Sequence, residues 1–220
     1  FFIFDISTST PTFVNGIDLG LSGNSVYVSG RYAYVVKDNS GITEDFIIYD
    51  ISNPSAIATT SGIDLGVAGY DIYVSGRYAY VTSDATNQFR IFDISNPRQP
   101  IEVGGVVLGI SGRNIYVSGR YAYITTNDVS GNDFRIIDIS NPTSPVVIGG
   151  MDLGTNVRGV YVSGRYAYVV KDNLGIVEDF IIYDISNPSS IATTSGVDLG
   201  IGGVNISVSG RYAYITTATV

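Results

Sequence analysis

The sequence contains neither cysteine nor histidine. Without Cys there is no disulfide framework, no thiolate metal site and no Cys nucleophile, and the redox compartment leaves no mark. Without His, the commonest general base and the commonest transition-metal ligand are both missing. Tryptophan is absent as well, which removes the largest aromatic platform on which a ligand can stack. Basic residues are scarce, 12 Lys and Arg against 20 Asp and Glu, for a formal net charge of −8. That balance argues against nucleic acid, whose phosphates need a basic surface. No apolar run reaches the roughly 18–20 residues that span a bilayer, so membrane insertion is not expected. Phe1-Phe2-Ile3-Phe4 is short, lacks a basic flank and ends at Asp5, unlike a signal peptide. Opening without Met, the chain reads as a processed product or a piece of a longer one.

What is present is repetition. The string Ser-Gly-Arg-Tyr-Ala-Tyr occurs five times, with its Gly at Gly30, Gly76, Gly119, Gly164 and Gly210, at spacings of 46, 43, 45 and 46 residues. The string Asp-Ile-Ser also occurs five times, with its Asp at Asp5, Asp50, Asp93, Asp138 and Asp184. Each copy reads as four short strands. In the first complete copy these are Val26–Val28, Tyr32–Val36, Phe46–Ile51 and about Ile57 to Leu65, with a tight turn at Gly30 and a break at Pro54. Tyr32-Ala33-Tyr34-Val35-Val36 is apolar on both faces, so the strand must be covered from both sides.

A period near 45 with four strands per unit predicts an all-β, five-bladed β-propeller of four antiparallel strands per blade. The chain starts with a third and fourth strand and finishes with a first and second. Residues 1–220 are therefore read as a single propeller domain, its last blade closed 2+2 from residues 1–20 and 204–220. The same split strands could instead pair between molecules.

Phe46-Ile47-Ile48-Tyr49-Asp50-Ile51-Ser52-Asn53-Pro54, together with Tyr-Val-Ser-Gly-x-Tyr-Ala-Tyr, resembles the LVIVD repeat family. Arg90-Ile91-Phe92-Asp93-Ile94-Ser95-Asn96-Pro97 and Arg135-Ile136-Ile137-Asp138-Ile139-Ser140-Asn141-Pro142 look like the same signature, and only the first copy, with Ser7-Thr8-Ser9-Thr10-Pro11, departs from it. The resemblance implies a propeller of the kind found on bacterial and archaeal cell surfaces, with no shared catalytic residues to carry over.

The copies differ in length at one place only. From the second Tyr of Tyr-Ala-Tyr to the Phe that opens the third strand is 12 residues at Tyr34–Phe46, 9 at Tyr80–Phe89, 11 at Tyr123–Phe134 and 12 at Tyr168–Phe180. Variable loops on a fixed scaffold are where binding usually resides. The turn arginines lie at the opposite face beside the Asp-Ile-Ser carboxylates. Pairs are therefore expected at Arg31–Asp50, Arg77–Asp93, Arg120–Asp138, Arg165–Asp184 and Arg211–Asp5, in a structural role. Counting Arg98 and Glu102 with them leaves that side neutral and assigns the net charge to the variable face. The candidate binding residues there are Asp38, Glu44, Asp45, Asp84, Asp128, Asp133, Asp172, Glu178 and Asp179, with Asp71, Arg113 and Arg158 on the inter-blade loops towards the axis.

Such carboxylates suit Ca²⁺. Asp38-Asn39-Ser40-Gly41 lacks the alternating spacing of a calcium loop, however, so the acids are read as solvated loop charge and no cofactor is assigned. Lys37 to Gly66 and Lys171 to Gly200 differ at 4 of 30 positions, variable loop included. Two matching loops serve repeated presentation better than one asymmetric active site. The expected function is a non-enzymatic, extracellular scaffold binding a protein or assembling with itself. A glycan-binding propeller with repeated sites is the alternative.

Overall fold

The computed structural model describes residues 1–38, 41, 43–127, 131–154, 157–172 and 178–218. Its regular elements are all strands. The chain opens with β1 (Phe2–Asp5) and β2 (Thr12–Gly16). Blade one is β3 (Gly23–Ser29), β4 (Tyr32–Lys37), β5 (Phe46–Asp50) and β6 (Ala58–Ile63). Blade two is β7 (Gly69–Ser75), β8 (Tyr78–Ser83), β9 (Phe89–Asp93) and β10 (Ile101–Val106). Blade three is β11 (Gly112–Ser118), β12 (Tyr121–Thr126), β13 (Phe134–Asp138) and β14 (Val146–Met151). Blade four is β15 (Val157–Ser163), β16 (Tyr166–Lys171), β17 (Phe180–Asp184) and β18 (Ala192–Val197), and the chain closes with β19 (Gly203–Ser209) and β20 (Tyr212–Thr217).

Each blade is a four-stranded antiparallel meander in chain order, and the first and last strand pairs form two-stranded sheets. Local sequence explains the meander. The hairpin glycines Gly30, Gly76, Gly119, Gly164 and Gly210 all sit at φ of +58° to +60°, where a Cβ would be strained. Beside these turns, at the C-terminal end of the third strand, Asp50 Oδ1 accepts from Ser52 N at 2.9 Å, and Asp93, Asp138, Asp184 and Asp5 cap their own Ser in the same way. The Pro that follows lacks a ladder donor and ends the pairing.

The core lies between blades. Tyr34, Val36, Phe46 and Ile48 of blade one pack against Ile72, Val74, Ala79, Val81 and Phe92 of blade two. Blades two and three, and three and four, repeat the arrangement. A strand apolar on both faces is thus covered on both faces, each buried aromatic removing roughly 150–250 Å² from water. The inner strands pack in the order β3, β7, β11, β15 and β19.

The expected 2+2 closure of the fifth blade is corrected by the structure: β1–β2 and β19–β20 stand as separate sheets, with no pairing between β20 and β1. The reason lies in the wedge between blades. Near the axis, tyrosines hold the inner strands apart, with ring centroids 4.8 Å apart at Tyr27–Tyr73, 5.2 Å at Tyr73–Tyr116 and 4.8 Å at Tyr116–Tyr161. At the rim the opposite holds. A Cβ on Gly104 would lie 2.1 Å from the Pro142 carbonyl oxygen of the next blade, and one on Gly149 would lie 1.9 Å from that of Pro188. Bulk inside and close approach outside give a shallow wedge, so five repeats make an open, propeller-like arc.

Candidate functional site

The concave side of the arc carries a polar cleft of about 610 Å³ lined by inner-strand residues of every repeat. Two rows of side chains face it. The deeper row is Ser25, Asp71, Asn114 and Asn205, with Gly159 in the fourth repeat; the outer row is Asn24, Tyr70, Arg113, Arg158 and Val204. Both rows follow a bulge that recurs in every inner hairpin, for example between Gly69 and Asp71. The bulge turns these residues inward at the start of the strand.

The deeper row stitches neighbouring blades together. Asp71 Oδ1 accepts from Ser25 Oγ at 2.6 Å and from its neighbour Ile72 N at 2.9 Å. Asp71 Oδ2 accepts from Asn114 Nδ2 at 2.6 Å and from Ile115 N at 2.9 Å. Asn114 Oδ1 in turn accepts from Val160 N at 2.9 Å. Burial raises the Asp71 pKa, and the four donors oppose that rise without cancelling it. Asp71 is therefore a structural tie that also sits in the cleft wall.

The outer row meets the acids that end the second strands. Asn24 Nδ2 donates to Asp38 Oδ1 at 2.8 Å, and Tyr70 donates its hydroxyl to Asp84 Oδ2 at 2.5 Å. Ser111 also donates to Asp84, and Arg158 forms an ion pair with Asp172. The Arg113 guanidinium lies 4.5 Å from the Tyr70 ring centroid. Five candidates from the sequence (Asp38, Asp84, Arg113, Arg158 and Asp172) thus form one rim around the cleft, with Asp71 beneath them. Asn24, Ser25, Tyr70, Asn114, Asn127 and Asn205 are the uncharged polar residues of the lining, and charge alone does not single them out in the sequence.

The remaining acids part company with the site. Asp45, Asp133 and Asp179 are fully buried, which corrects their reading as exposed loop charge. Asp45 Oδ2 accepts from Leu65 N at 3.2 Å, Asp133 Oδ1 from Leu153 N at 2.8 Å and Asp179 Oδ2 from Leu199 N at 3.2 Å. Gln88 Oε1 takes the same place with Leu108 N at 2.7 Å. Each ties the entrance of a third strand to the linker that leaves the fourth. Burial pushes the Asp45 carboxyl up to about 6, with Asp64 nearby adding to the rise against Leu65 N and Lys37. Asp179 is raised for the same first cause.

Glu44 is exposed, with its side chain over Gly62, and Glu178 lies likewise over Gly196. Asp128 lies outside the described residues. The Lys37 ammonium is buried and donates to the Leu19 carbonyl at 3.0 Å, and that of Lys171 donates to the Leu153 carbonyl at 3.3 Å. Among the described residues, no three Asp or Glu gather to hold a metal ion.

On the opposite face Arg31 pairs with Asp50, Arg77 with Asp93, Arg120 with Asp138 and Arg165 with Asp184. Arg31 first, then Ser52, holds the Asp50 carboxyl far below its usual range; Arg77 and Arg120 do the same for Asp93 and Asp138. At Asp184 the Ser186 bonds come first. Exposed pairs of this kind contribute little to stability. Arg211 and Asp5 are not joined among the described residues and lie at opposite ends of the arc. The assignment of Glu102 to the neutral face apart from Arg90 also needs revision, because Arg90 pairs with Glu102 across β9 and β10 at 2.5 Å.

Stacked four-stranded meanders around a polar axial cleft define a repeat protein with a β-propeller-like fold. The LVIVD repeat matches residues 22–62, 68–107, 111–152, 154–198 and 203–218, and the chain belongs to the LVIVD repeat family. No curated protein matches the sequence. Among solved structures, the computationally designed Ika8 protein superposes with a TM-score of 0.68 at 8% identity, over 98% of this chain and 61% of that one. The computationally designed Ika4 protein does so with a TM-score of 0.52 at 8% identity, over 79% of this chain and 91% of that one. The chain thus spans about six-tenths of the length of Ika8, and the likeness concerns the fold.

Proposed function

We propose that the chain is a non-enzymatic, extracellular binding scaffold that takes a polar protein segment in its axial cleft and against the neighbouring loops. One observation carries this reading. The repeats hold one backbone position in a common frame, yet the residue there is Asn24, Tyr70, Arg113, Arg158 or Val204, while Ser-Gly-Arg-Tyr-Ala-Tyr stays unchanged around the ring of copies. A purely structural position would repeat with its surroundings. Varied donors, acceptors and two guanidinium groups on a rigid floor suit recognition of an irregular polar surface.

A glycan-binding module is the second reading, favoured by Tyr70 among the amides of Asn24, Asn114 and Asn205. It is the weaker of the two, because sugars stack on open aromatic faces and the Arg113 guanidinium covers that of Tyr70.

The test is titration of the chain with arrays of extracellular peptides and of glycans, repeated with Tyr70→Ala and Arg113→Ala. Peptide binding weakened about tenfold or more by either change supports the scaffold. Saturable sugar binding supports the lectin. Turnover of a glycoside, ester or phosphate that Asp84→Asn abolishes contradicts both.

A further inference from the structure

The two ends of the arc are open, and each end is shaped for the other. Val26 and Val28 on β3 are 49% and 56% exposed, whereas their counterparts Ile72 and Val74 are 3% and 5% exposed beneath the preceding blade. At the far end Tyr214 is 60% exposed, while its counterparts Tyr34, Tyr80 and Tyr123 are each 4% exposed. In the interior of the arc it is this tyrosine that lies over the two aliphatic residues of the next blade.

Between β1–β2 and β3 runs an apolar groove of about 630 Å³ lined by Phe1, Phe2, Phe13, Leu21, Val26 and Val35, among others. Phe1 already stacks on Tyr49 in the manner of Phe134 on Tyr183, so the outer half of a blade is seated there and the inner half is missing. The missing half is what β19–β20 is. Its hairpin carries the inner-strand bulge at Gly203/Asn205, and β1–β2 carries the outer-strand bulge at Ile3/Phe4, at the positions both bulges take in the four whole blades.

Charge agrees. Arg211 and Asp5 are the only members of the repeating turn-arginine and Asp-Ile-Ser set that no ion pair joins among the described residues. The edges β20 and β1 present Tyr212, Tyr214, Phe2 and Phe4, with neither Lys nor Pro to discourage pairing.

We propose that the occupant of the groove is a second copy of this chain. Strand β20 of one molecule lies antiparallel to β1 of the next, with Tyr212 opposite Asp5, Tyr214 opposite Ile3 and Ile215 opposite Phe2, in the register of Tyr32, Tyr34 and Val35 on Asp50, Ile48 and Ile47. The partner is another molecule rather than the same one because the wedge between blades is shallow. Within one chain β1–β2 and β19–β20 stand as separate two-stranded sheets. Such a contact is head-to-tail and leaves a free end of each kind, so it propagates into rings or filaments. The groove meets the axial cleft at Asn24 and Ser25, but the contact itself is made by the exposed apolar faces and edges of the end sheets and does not depend on what the cleft binds.

The chain has no cysteine, so a single engineered pair reports the contact. Oxidation of the Phe2→Cys, Ile215→Cys double variant is expected to give dimers and a ladder of higher species on a non-reducing gel. A monomer bonded to itself, or one with both thiols free, overturns the proposal. Sedimentation of the unmodified chain keeps the test open if that variant fails to fold: mass rising with concentration is expected, and a monomer at every concentration overturns the idea. Asp5→Arg and Arg211→Asp should each weaken self-association roughly fivefold to tenfold. An equimolar mixture of the two should restore it, since each variant's end then meets the opposite charge; failure of the mixture to recover also overturns the proposal.

Discussion

Phe1 stacks on Tyr49 with ring centroids 5.8 Å apart and planes at 21°. The same contact joins Phe134 to Tyr183 at 6.0 Å between blades three and four. The first strand pair therefore occupies the place of a blade's outer half, although no inner half accompanies it. The rest of the arc can be understood as repetition of this contact, and its two ends as the places where the repetition stops.

If inter-blade packing of this kind carries the stability, a buried ring should matter more than an exposed one at the end of the arc. Phe134→Ala removes a fully buried ring, and should cost about 3–5 kcal/mol in chemical denaturation. Phe13→Ala, at a side chain 56% exposed on the open groove, should cost less than about 1 kcal/mol in the isolated chain.

Close packing at the rim gives a second expectation. Gly149→Ala would set a methyl 1.9 Å from a backbone oxygen, which cannot swing aside as a side chain could. A loss of about 1–3 kcal/mol or more is expected, read as a fall in the denaturation midpoint. Gly30→Ala meets no atom within 4 Å, so any loss there comes from its φ of +58° alone.

The inter-blade relay gives a third. Asp71→Ala leaves Ile115 N and Asn114 Nδ2 without their acceptor in a half-buried wall. A cost of about 1–3 kcal/mol is expected, with amide exchange quickening first at Ile115.

A fourth concerns pH. The Asp45 carboxyl is raised from 3.8 to about 6 by burial, so the folded state holds its proton more tightly than the unfolded chain. Its contribution is fully present below about pH 4 and is lost as pH rises through 6. Asp50, Asp93, Asp138 and Asp184 act in the opposite sense, since their depressed carboxyls stabilise above pH 3.8 and fail as pH falls below it. The melting temperature should therefore rise from pH 7 to pH 5 and drop below pH 4, and Asp45→Asn should flatten the upper limb. A melting temperature that falls steadily from pH 7 to pH 5 would contradict this.

Much of the architecture is legible in the sequence. Five Gly-Arg turns with strands on either side placed the inner hairpins, and a strand apolar on both faces required stacked sheets. The second strand read as Tyr32–Val36 is β4 (Tyr32–Lys37), and the third read as Phe46–Ile51 is β5 (Phe46–Asp50). Closure was not legible, because it depends on the wedge angle, a small difference between packing at Tyr73 and packing at Gly104 that no local pattern encodes. The site was legible in part. Arg113 and Arg158 stood out by charge, whereas Asn24 and Asn114 look like any loop amide until the bulge turns them inward. Asp45, Asp133 and Asp179 looked like solvent-facing acids. A constant interval of 20 residues to Leu65, Leu153 and Leu199, kept by Gln88 and Leu108, was the available sign that they are tethers.

The most direct measurement is amide hydrogen exchange along β20 and β1 across a range of protein concentration, with β4 as the internal reference. Protection at Tyr212–Ile215 and Phe2–Asp5 should climb towards that of Tyr32–Val35 as concentration rises and fall away on dilution. Rapid exchange of both edges at every concentration, or protection that dilution never alters, would contradict the assembly of a fifth blade from two molecules.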